Sequence, residues 1–288
     1  MHLKQNPYYQ LMRLDKPIGI WFLLLPCLWG IWGAHSFLSI PISVGILFYQ
    51  SILFTVGAII MRSAGCVIND YFDRDFDKNV ARTKNRPLAD GTISTKNALI
   101  LFVLLSCLGL FVLLQLSQAT ILIGCCVFIP IILYPLMKRI TYFPQFFLGL
   151  VYNIGIIMGF VSISGVFDKQ ILWLYFSGVL ITVAYDTIYA FQDIADDQKI
   201  GVKSSAIIWQ NNPKIWIGLC YLSAFVCFSL FFQNRWIAFI SILIIAILWA
   251  YLYKWDVKNH FQTKKFFKDH LKLLVLLLLV IISLMFSF

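Results

Sequence analysis

The sequence predicts an all-α integral membrane protein with nine transmembrane helices, and three observations lead there. Of the 288 residues, 60% are hydrophobic and only 12% charged, with a mean hydropathy of +0.83. The apolar residues fall in runs of roughly 18 to 25, the length that crosses a hydrocarbon core of about 30 Å as a helix. Apart from Arg62 and a few residues at span ends, lysine and arginine stand outside these runs and are concentrated in every second connection, as positive-inside topology requires. In lipid only helices satisfy all their backbone polar groups within one segment, and these runs are too long for barrel strands.

A window of about 19 residues places the spans near residues 18–35, 42–68, 97–115, 119–137, 144–164, 171–192, 214–232, 235–253 and 271–287, within a single polytopic domain covering 1–288. The first run follows Lys16-Pro17 and has no small-residue cleavage site behind it, so it reads as a retained span and not as a signal peptide. The N-terminus (Lys4, Arg13, Lys16) is basic, and so are the second, fourth, sixth and eighth connections, whereas the odd-numbered ones hold only Lys169 and Arg235. This puts the N-terminus and the even connections in the cytoplasm, with the C-terminus opposite, in a cell inner membrane.

The net charge of +10 would suggest nucleic acid in a soluble protein. Here the basic residues flank apolar runs, and an anionic lipid leaflet is the partner they fit. No nucleic acid and no obligate protein partner is expected. The seven cysteines lie in or beside the apolar runs without CxxC spacing, and the histidines do not cluster. Zinc and haem sites are therefore unsupported.

Topology does not explain the acidic residues. There is no glutamate, and twelve of the thirteen aspartates fall on the predicted cytoplasmic side. At the end of the second span stands Asn69-Asp70-Tyr71-Phe72-Asp73-Arg74-Asp75-Phe76-Asp77. At roughly 100° per residue, Asn69, Asp73 and Asp77 fall within about 80° of one another on a helix, with Asp70 just beyond. At the end of the sixth span, Asp186, Asp193 and Asp197 fall within about 40° on one face by the same arithmetic, with Asp196 to one side.

Carboxylates so close repel unless a cation lies among them. A single cluster would fit a solvated helix end balancing nearby lysines. Two clusters, each beginning inside an apolar run where ionisable groups are expensive, point to a site. All-oxygen donors suit hard cations, and Mg²⁺ takes one or two carboxylates and leaves its other positions to water and phosphate. Spacing alone does not separate Mg²⁺ from Ca²⁺, but the absence of a Gly-containing calcium loop favours Mg²⁺. Arg82 and Arg86 follow the first cluster and Lys199 and Lys203 the second, which supplies cations for a diphosphate. Arg62, about two turns before Asn69 on the same face, either holds an acceptor's charge or pairs with an aspartate.

The motif Asn69-Asp70-x-x-Asp73-x-x-x-Asp77 and the motif Asp193-x-x-x-Asp197 resemble those of the UbiA superfamily of intramembrane prenyltransferases. Within it, the branch that prenylates 4-hydroxybenzoate for ubiquinone is most similar. That similarity lies in Arg13-Leu-Asp15-Lys16-Pro17, Arg82-Thr83-x-x-Arg86-Pro87, Tyr134-Pro135-x-Met137-Lys138-Arg139, Tyr185-Asp186-Thr187-x-Tyr189 and Asp196-Asp197-x-Lys199-Ile200-Gly201-x-Lys203.

The resemblance implies helices around a central cavity open to the cytoplasm and laterally to lipid. It implies Mg²⁺ as cofactor and polyprenyl diphosphate and 4-hydroxybenzoate as substrates. It makes Asp70, Asp73, Asp193 and Asp197 catalytic, with Asn69 and Asp77 as further metal-site residues. Arg13, Arg62, Lys138 and Arg139 are the candidates for the benzoate carboxylate, Arg139 first because it lies in a matching block and Arg62 second. Tyr189 is the aromatic residue expected to face the cavity. A superfamily member acting on naphthoate, haem or a chlorin is the alternative, and a cation transporter a remote one.

Overall fold

The computed structural model describes residues 6–38, 42–80 and 82–284. The described residues contain nine long helices, a few short ones and no strand: α1 (Ile18–Leu38), α2 (Val44–Asp77), α3 (Thr95–Leu113), α4 (Gln118–Leu133), α5 (Pro144–Ser164), α6 (Ile171–Ala190), α7 (Pro213–Phe232), α8 (Arg235–Lys254) and α9 (His260–Ser283) are the long ones. Among the described residues eight of them, α1 to α8, are long and apolar enough to cross a membrane, α4 when counted with its continuation to Ile140.

Local chemistry fixes many of the ends. Side chains of Ser94, Ser117, Asn234 and Asn259 accept from free backbone N–H groups at the starts of α3, α4, α8 and α9, the usual N-cap arrangement. Proline opens α5 and α7, where its missing N–H costs nothing. Gly165 ends α5 in the left-handed region at φ 74°.

Three of the expected boundaries need correction. The second span was expected to end near residue 68, but α2 runs unbroken for 34 residues to Asp77. At 1.5 Å per residue that is about 50 Å, well beyond a hydrocarbon core of about 30 Å, so its last turns carry the first aspartate cluster beyond the lipid-facing stretch. The fourth span was expected to reach 137, but α4 gives way at Tyr134–Leu136 to a tighter 3₁₀ turn before Met137–Ile140. Pro130 and Pro135 lack the N–H groups a regular helix would use there.

The span expected at 271–287 belongs to a helix that starts at His260; its residues 285–287, like Lys4 of the basic N-terminus, lie outside the described residues. The first half of α9 buries Thr263, Phe266 and His270 while Lys265 and Lys268 are exposed. A hydropathy window averages the two faces and sees neither.

The frame is built on α1, α5 and α6, whose spans are 61%, 56% and 72% buried, against 17% for α3 and 11% for α4. Without a hydrophobic difference between helix and lipid, close contact between small residues supplies the association. A methyl group at Gly30 of α1 would lie 2.0 Å from the Ile156 carbonyl oxygen of α5, and one at Gly159 of α5 would lie 2.3 Å from the Cys27 carbonyl oxygen. Polar side chains add specific ties. Asn153 of α5 donates to Thr182 Oγ1 of α6 at 2.8 Å, and the Trp29 indole N–H donates to the Leu274 carbonyl of α9 at 3.1 Å. His270 of α9 bonds the Tyr221 hydroxyl of α7 at 2.5 Å.

Replacing Gly30 by Val forces α1 away from α5, and overpacking of this kind costs about 1 to 3 kcal/mol. The expected result is a clear fall in the detergent-solubilised melting temperature, with a smaller fall for Gly57→Ala, where the added methyl would sit 3.7 Å from Val112. Equal melting temperatures for the two variants would show that the α1–α5 approach does not organise the bundle.

Candidate active site

A cavity of about 1350 Å³ opens among α1 to α6, with Lys264 and Phe267 of α9 also in its wall, and is lined at one end by both aspartate clusters. It exceeds the roughly 300 to 1,000 Å³ typical of small-ligand pockets. Its polar end lies where α2 and α6 meet the basic connections. Its other branch runs between α2, α3, α4 and α5 past Phe54, Met61, Phe102, Leu110, Phe128 and Met158, and is almost wholly apolar.

The first cluster is held by cations from distant parts of the chain. Asp70, Asp73 and Asp77 are all buried. Arg13 Nη2 donates to both oxygens of Asp70, at 3.0 and 2.9 Å. Arg86 Nη1 bridges Asp70 Oδ1 at 3.0 Å and Asp77 Oδ2 at 2.7 Å. Lys138 Nζ reaches Asp73 Oδ2 at 2.5 Å, and the Asn69 amide donates to the same oxygen at 3.1 Å. Asp73 Oδ1 is buried with no hydrogen-bond partner. Arg13 sits at φ 57°, in the left-handed region that costs an ordinary side chain free energy. It follows the short helix Pro7–Leu11, where the Arg13 N–H donates to the Gln10 carbonyl and the Leu14 N–H to the Tyr9 carbonyl, a helix-end cap that uses this conformation.

At the second cluster the expectation of a continuous helical face does not hold. α6 stops at Ala190, a turn intervenes, and a short helix restarts at Ile194–Ile200 with Asp193 at its N-cap position. Asp193 and Asp197 line the cavity near the first cluster, and Asp186 lines it from within the spanning part of α6. Asp196 turns away and pairs with Lys199 at 3.7 Å, and neither lines the cavity.

Arg82 joins the two clusters: it lies in the connection after Asp77, donates to Asp193 Oδ1 at 3.0 Å and pairs with Oδ2, and donates to the Tyr189 hydroxyl at 2.7 Å. The carboxylates around Arg82 and Arg86 hold both guanidinium groups above their ordinary pKa despite burial. Among the described residues the Asp197 carboxyl has no ion pair. Burial and the neighbouring Asp193 carboxylate push it up to about 6, against the pull of Lys138 and Arg82.

These donors suit a hard divalent ion. They are all oxygen, and one buried carboxylate oxygen, Asp73 Oδ1, is left for a further partner. No group of three acidic, His or Cys side chains among the described residues is close enough to hold an ion unaided. Such an ion would take one or two carboxylates from each cluster and complete its shell with ligand oxygens.

The sequence profile of the UbiA prenyltransferase family matches residues 23–284. The chain belongs to that family. The mitochondrial 4-hydroxybenzoate polyprenyltransferase of Homo sapiens is 49% identical over 213 residues, which cover 74% of this chain and 56% of the human protein. The Aedes aegypti protein of the same name is 38% identical over 289 residues, 98% of this chain and 64% of that one. The chain thus spans less than two thirds of the length of these relatives. In fold it matches a UbiA homolog from Archaeoglobus fulgidus bound to GPP and Mg²⁺, with a TM-score of 0.70 at 18% identity over 96% of this chain and 100% of the other. It also matches the apo structure of a UbiA homolog from Aeropyrum pernix K1, with a TM-score of 0.68 at 23% identity over 90% and 97%.

In this UbiA-family chain the acceptor candidates separate by position. Arg139, the first choice from sequence, lies outside the cavity: its guanidinium donates to the Phe72 carbonyl at 2.6 Å and stacks over Phe76 at 4.8 Å. The short helix Met137–Ile140 turns Lys138 inward and the next residue outward, which spacing in a block of similarity does not reveal. Arg62 lines the cavity, hydrogen-bonds the Tyr152 hydroxyl, and keeps a buried Nε without a partner. It lies so close to α1 that a methyl group on Gly19 would be 2.5 Å from that Nε.

Lys203 lines the cavity and donates to the Ile140 carbonyl at 3.1 Å. Tyr189 lines it as expected. Tyr134 and Tyr152 also line it and were not singled out, since tyrosine is ordinary in membrane spans.

Lys138 and Asp73 allow a direct test. Lys138→Met leaves a buried carboxylate unpaired, which costs about 3 to 5 kcal/mol, so the melting temperature should fall in metal-free buffer. Adding Asp73→Asn should recover most of the loss. A double variant as unstable as the single one would contradict the pairing.

Proposed function

We propose that this chain transfers a polyprenyl group from polyprenyl diphosphate to the ring carbon ortho to the hydroxyl of 4-hydroxybenzoate, in a Mg²⁺-dependent step of ubiquinone biosynthesis. The observation that carries the reading is one cavity whose polar end joins both aspartate clusters to Arg13, Arg82, Arg86 and Lys138, and whose other branch is apolar. The polar end suits a diphosphate with Mg²⁺, and the apolar branch suits a prenyl chain. The names of the human and mosquito relatives support the acceptor, and the bound GPP and Mg²⁺ of the Archaeoglobus homolog support the donor and the metal.

Mg²⁺ bound at the two clusters would polarise the diphosphate oxygens and stabilise the negative charge on the leaving group. Asn69, Asp70, Asp73, Asp77, Asp193 and Asp197 are the residues that would hold it. Arg82, Arg86, Lys138 and Lys203 would then meet phosphate oxygens; Arg suits bidentate contact and Lys acts as a point charge. Such prearranged cations favour the charge that develops as the C–O bond breaks. The apolar walls exclude water from the allylic cation. Arg62, buried with an unsatisfied Nε in the cavity wall, is the cation we assign to the benzoate carboxylate.

A cation carrier is less well supported, because its ion would need neither the apolar branch nor carboxylates already paired with arginine and lysine. We further propose that the basic face, and with it the cavity mouth, is cytoplasmic, that the cavity also opens laterally to lipid, and that the host is a cell inner membrane. The relatives carry the same name with a mitochondrial address.

Purified protein given 4-hydroxybenzoate, a long prenyl diphosphate and Mg²⁺ should release prenylated hydroxybenzoate detectable by mass spectrometry. Chelation should abolish the product, and Asp73→Ala and Asp193→Ala should each reduce turnover by about a hundredfold or more. Full activity in either variant, or product from naphthoate and none from hydroxybenzoate, would overturn the reading.

A further inference from the structure

We propose that Asp186 is the base that removes the ring proton of the aromatic acceptor, an assignment that rests on the function proposed above. Its place in the fold separates it from the metal clusters. It belongs to the spanning part of α6, before the break at Ala190 that divides it from Asp193 and Asp197. Asp70, Asp73, Asp77 and Asp193 each contact an arginine or lysine, whereas among the described residues Asp186 has neither an ion pair nor a side-chain hydrogen bond. Its electrostatic neighbours are Arg62 of α2, Tyr134 of the turn after α4, and Tyr152 of α5, together with Tyr185 beside it. All five line the same part of the cavity.

A carboxylate inside an apolar span is costly to keep there and marks a functional position. A free carboxylate in a cavity wall, with no cation bonded to it, retains the lone pairs that a proton acceptor uses. Arg62 beside it hydrogen-bonds the Tyr152 hydroxyl, and among the described residues its buried Nε–H has no partner. An acceptor anchored by its carboxylate at Arg62 therefore presents its ring within the space bounded by Asp186 and the tyrosines.

The step balances. The allylic C–O bond breaks and its electron pair leaves with the diphosphate. A ring π pair forms the new C–C bond at the carbon ortho to the hydroxyl. The C–H bond at that carbon then breaks, its pair restores the aromatic ring, and the proton goes to an Asp186 carboxylate oxygen. No oxidant or further reactant is needed, and the proton leaves through the polar end of the cavity.

The test compares wild type with Asp186→Asn and Asp186→Glu, using 4-hydroxybenzoate with hydrogen or deuterium at the two ring carbons ortho to the hydroxyl. Asp186→Asn should lower kcat by about a hundredfold, leave KM for prenyl diphosphate at saturating Mg²⁺ unchanged, and show a primary deuterium isotope effect larger than that of wild type, because proton loss has become limiting. Asp186→Glu keeps a carboxylate and should recover part of the rate.

Unchanged kcat in Asp186→Asn, or a lower kcat without a larger isotope effect, overturns the assignment. A raised KM for prenyl diphosphate also overturns it, because Asp186 would then belong to the metal site. Absence of product from wild type, by contrast, refutes the proposed function itself.

Discussion

Buried carboxylates at the end of an apolar bundle must find positive charge, and that requirement organises one whole end of this molecule. Asp70, Asp73 and Asp77 project from the last turns of α2 and are covered by the chain. Left alone they would repel one another and lose hydration that the interior does not replace. The cations that neutralise them come from three separate segments: Arg13 before α1, Arg86 after α2, and Lys138 after α4. Arg82 carries the tie across to Asp193 after α6, and the Lys203 N–H donates to the Lys138 carbonyl at 2.9 Å. The second, fourth and sixth connections are thus tied to one another at the site.

The rest of the bundle leaves room for what the charged end would hold. Close approach at Gly30 and Gly159, with the Asn153–Thr182 bond, gathers α1, α5 and α6 into a rigid frame. α2, α3 and α4 pack against it more loosely and enclose the apolar branch of the cavity. A ligand with a charged head and an apolar tail would find both ends of its chemistry in one continuous space. The same burial that makes the aspartates dependent on cations would strengthen every electrostatic contact to such a head.

Much of this was legible in the sequence because hydropathy and helical periodicity report directly on burial. The span expected at 144–164 coincides with α5 at Pro144–Ser164, and the face of Asn69, Asp73 and Asp77 is real because α2 continues without a break. What stayed hidden depends on where a helix stops or how a short segment turns. The angular grouping of Asp186 with Asp193 and Asp197 assumed one helix, and the break at Ala190 removes that premise. Lys138 and Arg139 are adjacent in sequence but point to opposite sides of a four-residue helix, one into the cavity and the other onto Phe72 and Phe76. The positive φ of Arg13 belongs to the cap that ends the short helix Pro7–Leu11, whereas its pairing with Asp70, 57 residues on, is a tertiary contact with no local signal.

The central claim is that the two aspartate clusters act together through a divalent ion to hold a diphosphate. It is tested most directly by calorimetric binding of a non-reactive prenyl thiodiphosphate to the purified protein in lipid nanodiscs, with Mg²⁺ or with chelator. Binding should be at least about tenfold tighter with Mg²⁺, and the gain should vanish in both Asp70→Asn and Asp197→Asn, one from each cluster. Equal affinity in chelator, or a Mg²⁺ gain that survives loss of one cluster, would contradict it.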